Sequence, residues 1–318
     1  MPAIFYMMIG VPWPGSGKSY LAEKISQING NIPIVSSDAI RAELYGSAED
    51  QTHNAEVFQE VDHRVREHLC KDNTVILDAT NLSRKRRAGF LKQLPRNCRK
   101  IAVMACTDYD VICRQNANRE RKVPQEVIDR MYKNMQLPRK SEGWDEIRFI
   151  THPDNCQDLV SRLRECVGVD QDNSHHDYDL YNHQLAAAEY VANHCSGLCQ
   201  KEADLAFKAA LFHDIGKIDT KTYQLWSGKI DNQAHYYNHA EVGAYKIACA
   251  ERSIPDKEML ADLIVLVQWH MDCYANPNWL DEFEKWYGER ARKIMEIVHE
   301  GDKEGHWWRN AVSRRNNN

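Results

Sequence analysis

The sequence predicts an α/β domain, a parallel sheet flanked by helices, followed by an all-α domain. Three observations carry that expectation. Short apolar, β-rich runs alternate with helical patterns through the first half, as parallel strands joined by crossover helices do. Beyond residue 180 the strand signals fade, and apolar residues recur at i, i+3, i+4 spacing. Between the halves, the stretch 170–177 (DQDNSHHD) is polar and aperiodic. Domains are therefore expected at 1–168 and 180–318, with a linker at 169–179, and 318 residues give each enough chain to bury its own core.

The expected strands lie at 4–9, 32–35, 75–77, 101–105 and 147–150, each an apolar run bounded by polar or turn residues. Residues 158–166 read as the helix that closes this half. The helices of the second half are expected at 184–194, 204–212, 240–250, 259–270 and 291–298. No internal repeat is visible.

Composition narrows the class. Hydrophobic residues make up 43% and charged residues 27%, within the range of globular chains. No apolar run is long enough to span a membrane, and the first residues lack the basic start and cleavage site of a signal peptide, so a cytoplasmic protein with no membrane partner is expected. The ten cysteines are scattered singly without a C-x-x-C pair, which fits reduced thiols. The net charge of −5 divides unevenly, about +3 over 1–168 and about −8 over 169–318. The run Arg84-Lys85-Arg86-Arg87 adds a positive patch that suits an anionic acceptor such as nucleic acid, or else forms a solvated helix face.

After the first strand comes Gly15-Ser16-Gly17-Lys18-Ser19, the end of a phosphate-binding loop. Glycines let the backbone approach a polyphosphate, Lys18 reaches its outer phosphates, and the Ser19 hydroxyl can ligate Mg²⁺. The strict pattern G-x-x-x-x-G-K-S/T is not met, because Pro12 stands where its first glycine belongs. Asp38 and Arg41 follow the second strand, at the edge where open α/β sheets bind ligands. An aspartate there can accept a hydroxyl proton and an arginine can hold an anion; the plainer alternative is a helix cap and a surface arginine. Asp78, Thr80 and Asn81 end the third strand at the same edge, where they can position the acceptor or the metal, or simply make a turn. Arg114, Arg119 and Arg121 precede Val123-Pro124, and arginines on a lid can neutralise a transferred phosphoryl group.

In the second half, Ala210-Leu-Phe-His213-Asp214-Ile-Gly216-Lys217 sets His beside Asp on an apolar helix, a costly placement that a divalent metal would relieve. His183, His239, His270 and Asp302 recur at helix-scale intervals and can converge in one bundle core.

Residues 4–150 resemble the 5′-kinase domain of bacteriophage-type polynucleotide kinases, on the order G-S-G-K-S, D-x-x-R, T-N-L with a basic turn, spaced arginines and V-P-x-x-V-I-x-R-M. The resemblance implies an α/β P-loop kinase domain using ATP and Mg²⁺. Lys18 and Ser19 would bind the nucleotide and metal, Asp38 would be the general base on a 5′-OH, and Arg41 would contact acceptor phosphate. Arg114 and Arg119 would clamp the donor, with Arg121 the alternative to Arg119. The phosphate loop is two residues longer than the family form, as though Trp13-Pro14 were inserted. Residues 180–305 resemble the HD phosphohydrolase superfamily, which implies an all-α HD domain. His183, His213, Asp214 and Asp302 would then hold a first divalent transition metal, and His239 and His270 a second metal or phosphate. Asp281 and Glu300 compete with Asp302, and His175 and His176 with His183.

A kinase and a phosphoesterase on one chain fit a broken strand, one adding phosphate to a 5′-OH and the other removing a 3′-phosphate or 2′,3′-cyclic phosphate. Nucleic-acid ends, RNA rather than DNA, are the expected substrate, with a ligase acting downstream and a homo-oligomer as the common form of assembly. Three other readings keep the motifs: a nucleoside or small-molecule kinase fused to a nucleotide phosphohydrolase, a nucleotide sensor without turnover, and a nucleic-acid-binding module.

Overall fold

The computed structural model describes residues 2–10, 17–118, 122–173 and 178–305. The chain divides into two compact units, Met1–Asn155 and Cys156–Asn318.

In the first unit, β1 (Ile4–Ile9), β2 (Ile34–Ser36), β3 (Val75–Asp78), β4 (Arg99–Cys106) and β5 (Glu146–Thr151) form one parallel sheet, ordered β2-β3-β1-β4-β5. The near-continuous apolar runs of β1, β3 and β4 are buried along almost their whole length, as strands covered on both faces must be. Helices α1 (Lys18–Ile28), α2 (Ser37–Tyr45), α3 (Asn54–Cys70), α4 (Arg84–Leu91), α5 (Tyr109–Ala117) and α6 (Gln125–Lys133) supply that cover. On α3 the buried stripe is Val57, Val61, Val65 and Leu69, one residue per turn. One core cluster joins Tyr6, Met8, Ala22, Ile76, Ile101 and Val103. Central β1 pairs with both β3 and β4, so its carboxyl end lies where the chain order reverses, the usual ligand crevice of such sheets.

The second unit contains α7 (Leu159–Arg164), α8 (Leu180–His194), α9 (Gln200–Phe212), α10 (Lys217–Thr220), α11 (His239–Cys249), α12 (Lys257–Trp269) and α13 (Trp279–Gly305). Asp179 caps α8 by accepting from the Asn182 N–H at 2.7 Å, and Asp256 caps α12 by accepting from Glu258 and Met259. All of α11 is buried, although it carries His239, Glu241 and Lys246. Each polar group there finds a partner: Lys246 pairs with Asp219 at 2.6 Å, and Glu241 accepts from Gln268 at 3.1 Å. Helix α13 breaks at Gly288, whose φ of 88° leaves the helical region.

The second unit is the expected helical domain, and it carries one addition: β6 (Lys221–Gln224) and β7 (Ile230–Tyr236) make an antiparallel hairpin after α10. Its strands are polar and mostly half-buried, so they give no apolar alternation to read. Of the polar stretch expected as a linker, residues 169–173 and 178–179 fall in the same compact unit as α7. Gln171 is buried, accepting from the Tyr236 hydroxyl at 2.6 Å and the Lys217 ammonium at 2.8 Å, and the Asp172 carbonyl accepts from the Ala234 N–H at 2.8 Å. Polarity here serves anchoring, which composition cannot distinguish from solvation.

Candidate active sites

The nucleotide end of the first unit is built where β1 meets α1. Gly17 caps α1 with φ 74°, a left-handed conformation that favours glycine, and Lys18 and Ser19 open the helix. The Lys18 ammonium pairs with Asp78 Oδ1, and the Ser19 hydroxyl donates to Asp78 Oδ2 at 2.7 Å. Asp78, read from the sequence as positioning the acceptor or the metal, sits at the end of β3 against Lys18 and Ser19. A hydroxyl and a carboxylate make the hard-oxygen set that Mg²⁺ takes in P-loop enzymes, so Ser19 and Asp78 fit that ion. Gly15, Ser16 and the Trp13-Pro14 extension lie outside the described residues. A residue missed in the sequence joins this edge: His152, just past β5, has its ring 3.6 Å from the position a Cβ on Gly17 would take. The only available signal was its place at the carboxyl end of a strand.

A cavity of about 1030 Å³ opens beside Lys18 and Ser19, and its lining includes Asp38, Arg41 and Thr80. The loop after β2 sets this geometry. Ser36 caps α2 by accepting from the Ala39 N–H at 3.4 Å, which leaves Asp38 without a capping role. Arg41 is 4% exposed; it donates to Asp38 Oδ1 at 2.7 Å and to Asn54 Oδ1 at 3.0 Å, while Asp38 stays open to solvent. The arginine is therefore held by the fold and the carboxylate is accessible, a pair suited to receive a hydroxyl beside an anion. Asn81 departs from expectation. Its amide donates to the Met8 and Ala79 carbonyls at 2.8 and 3.3 Å from a backbone with φ 50°, so it braces the strand ends and does not line the cavity. Arg114 is exposed on the last turn of α5 and does not line the cavity either. Arg119 and Arg121 lie outside the described residues.

The second unit brings six buried side chains together: His183 from α8, His213 and Asp214 after α9, His239 opening α11, His270 after α12 and Asp302 from α13. They form two groups, His183–His213–Asp302 and Asp214–His239–His270. Asp214 joins them. Its Oδ2 lies 3.3 and 3.2 Å from the Nε2 atoms of His183 and His213, and its Oδ1 lies 3.2 and 3.7 Å from those of His239 and His270. Asp302 Oδ1 is 3.2 Å from His183 and 3.3 Å from His213. Donors bound at ~2.0–2.2 Å to one ion sit roughly 3–3.5 Å apart, so these separations match a metal's ligand shell.

The backbone prepares the imidazoles. Nδ1 of His213, His239 and His270 each faces a carbonyl, of Ala210, Tyr236 and Val267, at 2.7, 2.7 and 2.6 Å. A donated Nδ1–H leaves Nε2 as the free lone pair, the tautomer a metal requires. Electrostatics agree. Burial opposes charge on His213, but the carboxylates of Asp214 and Asp302 outweigh it and push its pKa up to about 10. Burial also works against the Asp214 carboxylate, yet His213 and Lys217 hold it well below the usual range. Without an ion, the site draws a proton to supply the positive charge it needs.

The competing ligands resolve by position. Asp281 pairs with Arg292 at 2.7 Å, and Glu300 accepts from the Tyr190 hydroxyl at 3.3 Å. His175 and His176 lie outside the described residues. Sequence reasoning missed Lys217, whose ammonium is buried 2.7 Å from Asp214 Oδ2; its signal was the i, i+3 spacing from Asp214. Gly216 carries the packing. A Cβ there would meet the His239 carbonyl at 2.1 Å and the Gly243 nitrogen at 2.6 Å, so only a glycine lets the His-Asp turn touch α11.

Residues 6–138 match the family model described as an AAA domain, and residues 180–301 match that of the HD domain. The chain thus carries a P-loop kinase-like domain followed by an HD domain. Among solved structures, a gluconokinase from Sinorhizobium meliloti 1021 is 19% identical with a TM-score of 0.33, over 46% of this chain and 81% of that one. A chain in a structure of the Pnkp1/Rnl/Hen1 complex is 18% identical with a TM-score of 0.34, over 50% of this chain and 51% of that one, so the match spans about half of its length. Among the described residues no helix is long and apolar enough to cross a membrane.

Proposed function

We propose that this protein heals broken nucleic-acid ends, RNA in preference to DNA. The first unit phosphorylates a 5′-OH from ATP, and the second removes a 3′-phosphate or a 2′,3′-cyclic phosphate. The observation that carries the reading is the shared cavity in which Lys18 and Ser19, the donor side, meet Asp38, Arg41 and Thr80, the acceptor side. In the transfer, the 5′ oxygen forms its bond to the γ-phosphorus as the bond from that phosphorus to the bridging oxygen breaks. Asp38 takes the hydroxyl proton, and ADP leaves. Lys18 offsets charge on the donor phosphates, and Arg41, fixed by Asp38 and Asn54, holds the acceptor's nearest phosphate. Ser19 and Asp78 would hold Mg²⁺.

At the second site, His183, His213 and Asp302 would hold one divalent metal and His239 and His270 another, with Asp214 shared between them. Such metals supply hydroxide at neutral pH and polarise a phosphoryl oxygen. The protein's part is to orient the imidazoles through backbone carbonyls and to fix Asp214 with Lys217, whose ammonium also favours an arriving phosphate.

The test is a 5′-OH, 3′-phosphate RNA with ATP and a panel of divalent metals. Lys18→Ala or Asp38→Ala should abolish labelling of the 5′ end from γ-labelled ATP while phosphate release continues. Asp214→Ala should do the reverse. Loss of both activities in each variant, with the fold intact, would sink the two-site model, and turnover of mononucleotides alone would move the substrate to small molecules.

A further inference from the structure

The cavity beside Asp38 and Arg41 carries more cations than one terminal phosphate requires. At about 1030 Å³ it lies at the upper end of the ~300–1,000 Å³ typical of small-molecule sites. Its walls come from α2, α3, α4 and α6 and include Arg86, Lys122 and Arg130 in addition to Arg41 and Lys18. None of those three additional cations forms an ion pair among the described residues, although Asp62 lies close enough to feel the charge of Arg86.

The basic run on α4 divides by role. Arg87 is 1% exposed, with Nε and Nη2 each 2.7 Å from the Glu142 carboxylate and Nη1 donating to the Asn81 and Gln136 carbonyls at 2.8 Å. Arg84 lies 3.7 Å from the same carboxylate. Lys85 does not line the cavity, but Arg86 does, and its guanidinium lies 4.2 Å from the centre of the Phe58 ring on α3. Phe58 lines the same cavity. Stacking holds the guanidinium plane and leaves its N–H edges to bond an anion, so little side-chain freedom is lost on binding. A flexible lysine would lack that preparation.

We infer that Arg86, stacked on Phe58, is a phosphate subsite that takes the second backbone phosphate of the acceptor strand, Arg41 holding the first. The inference rests on the 5′-kinase reading and deepens it: the subsite makes the cavity prefer a polynucleotide to a single nucleotide.

The experiment uses the full chain, ATP with Mg²⁺, and two acceptors, a nucleoside 3′-monophosphate and a 5′-OH trinucleotide. Wild type should show a lower KM for the trinucleotide. Arg86→Ala should raise that KM about tenfold, the scale of one charge-assisted contact, with little change in kcat, so that the preference for the longer acceptor collapses. The salt dependence of log KM should fall by ~0.7, one phosphate contact on a single strand. Arg86→Lys and Phe58→Leu should fall between, because one keeps charge without the planar fork and the other removes the platform. An equal rise in KM for both acceptors, or no rise for either, would overturn the subsite while leaving the kinase intact. Wild-type protein that labels neither acceptor would remove the kinase reading and the subsite with it.

Discussion

Asp214→Asn tests whether one carboxylate serves both metal groups. The substitution keeps volume but turns one oxygen into an N–H₂ donor that cannot ligate and leaves the other a neutral amide oxygen. Because Oδ1 and Oδ2 face different histidine pairs, at 3.2 and 3.7 Å and at 3.3 and 3.2 Å, both ions lose an anionic donor together. Supporting groups outside the ligand shell already cost ~10–100-fold in affinity, so loss of a ligand should cost roughly 100-fold per ion, or about 2.7 kcal/mol. His270→Gln removes a donor from one group alone and is the control. Metal per chain is measured after dialysis, together with phosphate release from a 3′-phosphorylated oligonucleotide and the 5′-kinase rate as an internal standard. The expected result is loss of both equivalents in Asp214→Asn and of one in His270→Gln, with kinase activity retained. An asparagine variant that keeps two ions, or sheds one as His270→Gln does, would refute the shared carboxylate.

Arg87→Ala should destabilise the first unit by about 3 kcal/mol, since the buried Glu142 would lose its bidentate partner and keep only Arg84 at 3.7 Å and the N–H groups of Arg139 and Trp144, and at ~2–4 °C per kcal/mol its thermal transition should fall roughly 10 °C by calorimetry. Gly216→Ala should lower the second unit's transition by more than the ~1–3 kcal/mol of ordinary overpacking, because the new methyl meets backbone and not a movable side chain, and metal binding should weaken in parallel. The pH dependence has a defined sign. His213 is raised from 6.5 to about 10, so its stabilisation in metal-free protein is complete below pH ~6.5 and is lost as pH climbs toward 10. Chelator-treated protein should therefore show a falling melting temperature over that range, and added metal should flatten the slope by replacing the proton.

Much of this was legible in the sequence. The apolar runs of β1, β3 and β4 could be read because strands buried on both faces need them, and the His-Asp pair stood out because it is costly in an apolar helix. Legibility failed where chemistry depended on distant packing. Asp78 can be read with the acceptor or with the metal until the parallel pairing of β1 and β3 sets it against Lys18 and Ser19. Arg84 to Arg87 read as one patch, yet the roughly 100° between neighbouring helix positions sends Arg87 to Glu142 and leaves Arg86 at the cavity. The segment at 170–173 read as solvated because Gln171 finds its partners only when residues 217 and 236 fold over it.

The ligands at the HD centre run from residue 183 to residue 302, whereas the phosphate loop, Asp38, Arg41 and Asp78 all fall within the first 78 residues. Units fold as they leave the ribosome, amino-terminal first. The first unit can therefore assemble while the proposed metal centre still lacks Asp302, so any metal it takes up would be bound late in synthesis. A chain cut short between Asn155 and Asp302 would be expected to keep the first site and leave the proposed metal centre incomplete.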